Sequence, residues 1–304
     1  MSMSVQVGIM IAAGLSTLLI GLFLVLPRFE DASGAERLLV FGPVFEAAAL
    51  TIFAAEHFVA ARDLMGIVPH WLPGPLFWTY FVGAALLAAA ISFITWQHVN
   101  LSASLLALLF LIIVLTIDLP TLPAHIHERF FWILAVRETT FAAGALVLAG
   151  SVLRSRSAGT LLITLGRLIV ACACIFYAVE HFLFPQFVPG VPLEKPMPSW
   201  FPFPQLLAYL IGLTLLVCGI GLLLPRTARI AAATAGTLLV LLTFFFYVPI
   251  LITELHTPLA MEGINYVGDT LLFAATILLA GLGADRQRSP ENTAAPRTRK
   301  LHAR

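Results

Sequence analysis

The stretch GTLLITLGRLIVACACIFYAVEHFL, residues 159–183, is an apolar run long enough to cross a bilayer, and it closes on Glu180-His181-Phe182. The stretch LLVFGPVFEAAALTIFAAEHFVAA, residues 38–61, closes in the same way, on Glu56-His57-Phe58. Placing an ionisable pair at the end of a membrane helix is expensive. Its recurrence therefore asks for a reason, either a site or a structural clamp.

Seven further apolar runs surround these two, at 7–26, 75–96, 101–119, 130–150, 205–224, 230–251 and 262–283. Hydrophobic residues make up 60% of the 304, charged residues 11%, and the mean hydropathy is +0.97. That balance leaves too little polar surface for a soluble domain, so the fold class is an all-α polytopic membrane protein with about nine transmembrane helices. The first run lacks a basic flank and a small-residue cleavage site, so residues 1–37 read as a retained anchor and loop. A formal net charge of +1 and the lack of a basic patch between the runs exclude a nucleic-acid partner and leave the lipid bilayer. The basic, Pro- and Thr-containing residues 285–304 read as a disordered tail.

With nine spans, twelve Lys/Arg residues fall on one side and three (Arg62, Arg129 and Lys195) on the other. The positive-inside rule then puts the N-terminus outside and the C-terminus in the cytoplasm, in the plasma membrane. Cys172, Cys174 and Cys218 lie within runs and form no CxxC, so they read as small packing residues.

Runs two to five, residues 38–158, align with runs six to nine, residues 159–284. Glu56-His57-Phe58 matches Glu180-His181-Phe182. After a five-residue insertion, Trp71, Tyr80, Gly83, Pro120 and His127 match Trp200, Tyr209, Gly212, Pro249 and His256. Glu138-Thr139 then matches Asp269-Thr270. An even number of spans per copy makes the two repeats parallel four-helix bundles, related by an axis along the membrane normal. The Pro- and aromatic-rich loops after each Glu-His-Phe cannot continue as helix and are expected to lie as semi-rigid flaps over each bundle mouth.

The second copy carries Gly166-Arg167, His181-Phe182, Phe187-Val188-Pro189 and Tyr209-Leu210-Ile211-Gly212. In these features the chain resembles the DoxX-like membrane protein family, in a tandem double-DoxX arrangement. The first copy departs from the pattern, with Pro43 at the position of Arg167. The resemblance implies a four-helix membrane unit and an association with quinone-linked oxidation, because some relatives are subunits of thiosulfate–quinone oxidoreductases. A redox partner subunit is the protein partner it implies.

Glu180, His181, His256 and Asp269 then form the expected main site. Glu56, His57, His127 and Glu138 form its pseudo-equivalent, and Trp71, Tyr80, Trp200 and Tyr209 are the cofactor-binding aromatics. Imidazole and carboxylate at the mouth of an apolar bundle would hydrogen-bond a quinone and carry its protons. The alternative is that each His caps its helix and clamps a neighbour. No pair presents two metal ligands on one helical face. Helical phase suggests two further contacts, an intramembrane ion pair of Glu46 with Arg167, and Arg137 with Asp118. A non-catalytic membrane scaffold or small-solute carrier is the alternative function.

Overall fold

The computed structural model describes residues 2–191 and 195–283; the expected tail at 285–304 lies outside them. Among the described residues, nine helices are long and apolar enough to span a bilayer. They are α1 (Met3–Asp31), α2 (Glu36–Val59), α3 (Pro75–Thr95), α4 (Val99–Ala124), α5 (Arg129–Val152), α6 (Arg156–Leu183), α7 (Pro204–Leu223), α8 (Ala228–Glu254) and α9 (Ala260–Leu282). Apart from an isolated antiparallel bridge between Phe187 and Pro196, the described chain is helix and loop. The protein is an all-α polytopic one. In lipid every backbone polar group must be satisfied within its own segment, and helices achieve this.

Helices α2 to α5 pack in chain order, and so do α6 to α9. Two contacts then join the halves, α5 against α6 and α9 against α2, while α5 and α9 also touch each other. The last helix of each four-helix repeat therefore lies against the first helix of the other, and the repeats interlock. Helix α9 is the axis of this arrangement: 94% of its most apolar stretch is buried, against 28% for α1 and α4.

Small residues permit this closeness, because helices in lipid associate through van der Waals contact rather than hydrophobic exclusion. Gly166 of α6 sits against the Ala143 carbonyl of α5, and Gly236 of α8 sits against Leu278 of α9. At the α5–α9 crossing, a Cβ on Gly144 would lie 2.8 Å from the Thr276 side chain. The anchor α1 packs on α2, with Gly14 against Ile52 and Thr17 Oγ1 donating to Thr51 Oγ1 at 3.1 Å.

Corresponding points of the two halves share local structure. Helices α4 and α8 each widen into a π-turn, at Val114–Asp118 and Thr243–Tyr247. Pro120 and Pro249 follow two residues later. Proline donates no N–H and its ring crowds the carbonyl four residues back, so the turn expands. The preceding amides of Leu119 and Val248 reach instead to the Val114 and Thr243 carbonyls.

Replacing Gly144 by Ile should force α5 and α9 apart and cost about 1–3 kcal/mol. Its melting temperature in detergent should fall, while Gly8→Ile, where nothing lies within 4 Å, should melt like the parent protein.

Candidate binding cavity in the first repeat

Glu56, Arg137, Glu138 and Asp269 converge where α2, α5 and α9 meet. Arg137 of α5 donates through Nη1 to Asp269 Oδ2 of α9 at 2.6 Å and through Nη2 to Glu138 Oε1 at 3.2 Å. Asn265 of α9 donates through Nδ2 to Glu56 Oε1 of α2 at 2.9 Å. Asn265 Oδ1 is buried and has no hydrogen-bond partner among the described residues. Glu262, Asn265, Tyr266, Asp269 and Leu272 follow helical spacing, so one stripe of the buried α9 carries this polar wall.

Above this wall lies a cavity of about 850 Å³, within the size range of small-molecule sites. Glu56, His57, Arg137, Glu138, Asn265 and Asp269 form its polar part. Glu262, Tyr266, Thr79 and Thr116 add further polar groups, and most of the rest is apolar and aromatic, including Phe53, Trp78, Phe81, Phe110 and Phe141. Ile67, Val68, Pro69 and Trp71 bring the first flap into the lining, and Thr116 and Ile117 bring the α4 π-turn. Trp78 is fixed by its Nε1–H donating to the Pro73 carbonyl at 3.0 Å. Both elements are irregular, and π-turns recur at functional sites.

The two duplicated histidines are held alike and used differently. His57 Nδ1 donates to the Phe53 carbonyl at 2.8 Å, and His181 Nδ1 donates to the Tyr177 carbonyl at 2.5 Å. A carbonyl only accepts, so both rings carry a proton on Nδ1, and in the neutral ring Nε2 is then a bare acceptor. Gly83 and Gly212 let the next helix approach the two histidines in the same way, since a Cβ at either glycine would lie 2.8 Å from the histidine Cβ. His57 Nε2 has no partner among the described residues, and its ring lines the cavity. His181 Nε2 accepts from the Gly190 amide at 2.8 Å, and the ring is only 2% exposed.

The second flap therefore enters its own bundle instead of lying over it. Val188, Pro189, Gly190 and Val191 are all buried. Tyr247 donates its hydroxyl to the Pro189 carbonyl. Gly190 touches Leu242, which corresponds to the cavity residue Ile113, and it bonds His181, which corresponds to His57. Gly190 adopts φ +108°, which other residues reach only with strain. The plug thus occupies in repeat two the place that is cavity in repeat one.

This moves the centre of the expected site. Glu56, His57, Glu138, Asp269 and Trp71 meet at one cavity, so Asp269 of the second repeat serves the first. The expected main site does not assemble. Glu180 is paired with Arg129 Nε at 3.1 Å, and His181 is saturated by the plug. His256 is exposed in the α8–α9 turn and His127 in the α4–α5 turn, because both lie beyond the last turns that face inward. Tyr80 and Tyr209 stack on Phe58 and Phe182 at the exposed face. Trp200 packs on Phe201 and Phe246. None of these seven expected residues (Glu180, His181, His256, His127, Tyr80, Tyr209 and Trp200) lines the cavity.

The expected ion pair of Glu46 with Arg167 is not among the salt bridges of the described residues, and Arg137 pairs with Asp269 and Glu138 rather than Asp118. Asn265, Trp78 and Arg137 were not expected in the site. The α9 spacing 262, 265, 266, 269 and 272 was the available signal, with polar residues recurring on one face of an otherwise apolar span.

A family model described as a domain of unknown function, DUF8561, matches residues 46–129. The matched segment contains Glu56, His57, the first flap and the α4 π-turn. No curated protein and no solved structure matches the chain.

Arg137→Ala alone should cost about 3–5 kcal/mol, because it strands buried carboxylates. The Arg137→Ala/Asp269→Ala double variant should lose less than the sum of the singles, and a thermal-melt double-mutant cycle reads this coupling. Gly190→Ala should cost on the order of 1–3 kcal/mol by straining the plug, with increased proteolysis in the 184–203 loop as its local signature.

Proposed function

We propose that the chain is an integral membrane component of a quinone-linked redox system, with its binding site in the first repeat. The observation that carries this reading is the bare His57 Nε2, beside Glu56, at the polar end of an otherwise apolar cavity of about 850 Å³. A quinone head is a flat, weakly polar ring that needs aromatic walls and a few hydrogen-bonding groups, and Trp78, Phe81 and His57 fit that need. A quinone supplies two-electron, two-proton chemistry.

The chain supplies the proton sites. His57 Nε2 can take a proton while its Nδ1–H stays on the Phe53 carbonyl, so the ring keeps its orientation. Glu56 and Glu138 are the acids to which that proton would pass, and Arg137 holds Glu138 and Asp269 in place. The electrons would go to a redox partner subunit. The resemblance to DoxX-like proteins supports the same reading. So does the Lys/Arg asymmetry for a plasma-membrane orientation with this face outward and the C-terminus cytoplasmic.

The test is a reduced-minus-oxidised ultraviolet–visible spectrum of protein purified gently from its native membrane. A quinone difference band is expected, lost in His57→Ala and kept in His181→Ala. A flat spectrum from folded, lipid-replete protein would sink the reading in favour of a scaffold or small-solute carrier.

A further inference from the structure

The plugged repeat shows what chemistry its histidine takes. His57 and His181 sit at matching places in the duplicated fold, and each is oriented by donating Nδ1–H to the carbonyl four residues back. A matching glycine from the next helix, Gly83 or Gly212, lies against the Cβ of each histidine. Both therefore present an acceptor Nε2 toward equivalent volumes. In repeat two that acceptor is met by an N–H donor, Gly190, at 2.8 Å. In repeat one the volume is open, and no protein donor among the described residues reaches His57.

Resting on the reading of this cavity as a quinone-class site, we propose that the head group facing His57 is a hydrogen-bond donor, so the cavity selects the hydroquinone over the oxidised quinone. A quinone carbonyl opposite a bare Nε2 would set two acceptors against each other, whereas a phenolic hydroxyl repeats the bond that Gly190 makes. Glu56 and Glu138, when ionised, also accept only, which strengthens the demand for a donor. Arg137 is a donor in the wall: Nη1 and Nη2 bond Asp269 and Glu138, and its buried Nε–H has no partner among the described residues.

The experiment is anaerobic equilibrium dialysis of the full chain in lipid nanodiscs, with empty nanodiscs subtracted. Three probes share one ring: a water-soluble, tailless methoxy-hydroquinone, its di-O-methyl ether and the oxidised quinone. The hydroquinone should bind about tenfold or more tighter than the other two. His57→Phe, which keeps a flat ring and removes the acceptor, should erase that preference. Equal binding of all three to the parent protein would overturn the donor inference and leave the cavity reading intact. Binding of none would overturn the quinone reading itself. The comparison of probes on the parent protein stands even if the variant does not fold.

Discussion

The structure depends on one buried guanidinium. Arg137 stands in the middle of a helix that crosses the bilayer, where an unpaired charge would cost several kcal/mol, and it is matched by Asp269 from the other half of the chain. That bond ties α5 to α9, the two helices that each close the opposite repeat. Its register fixes the rest. Asn265 lies one turn from Asp269 and is thereby aimed at Glu56 of α2, while Glu138 is drawn to the same cation. The position of α9 matching Arg137 is Gly268, and the missing side chain lets Phe53 of α2 approach to where a Cβ would be 2.9 Å away. The duplicated frame thus carries an arginine on one central helix and a space on the other.

From this shared frame the two halves diverge at their first loops. The second loop is five residues longer than the first, which gives it the reach to turn back into the bundle. At the position matching Asp118 it meets Tyr247, whose hydroxyl holds the Pro189 carbonyl. It is also pinned from outside: Lys195 pairs with Glu254 at 2.6 Å, and Arg129 pairs with Glu180 while lying over the Phe184 and Phe187 rings. The first loop, with a short 3-10 turn at Met65–Ile67, stays at the rim and lines the cavity it does not fill.

The number and class of the helices were legible in the sequence because a bilayer sets one length and one composition for each span. The run at 262–283 was found as α9 within a few residues of Ala260–Leu282. Its being the central helix was legible only in hindsight, from the polar stripe of Glu262, Asn265 and Asp269. Alignment of the repeats paired Glu56 with Glu180 and His57 with His181 and so treated them as equals. Which of the pair faces a cavity depends on a loop conformation, and Pro-rich composition does not specify one. His127 and His256 were misplaced for a simpler reason: residues in turns beyond a helix end need not follow its inward face. The expected Glu46–Arg167 pair rested on helical phase alone, which orders residues around one helix and says nothing of how two helices face each other.

The contrast between the histidines bears on why one is left bare. An unsatisfied buried polar group costs about 1–3 kcal/mol, and in a bilayer water does little to relieve it. Repeat two shows that this frame can satisfy such a histidine completely, with one inserted loop and one backbone amide. The open arrangement in repeat one is therefore a property of the first loop and not a necessity of the fold. A chain that buries α9 so thoroughly nevertheless leaves His57 Nε2 and Asn265 Oδ1 without protein partners among the described residues, both on residues that line one cavity. Unmet capacity of that kind, bounded by aromatic walls, is what a ligand with a small polar head would satisfy.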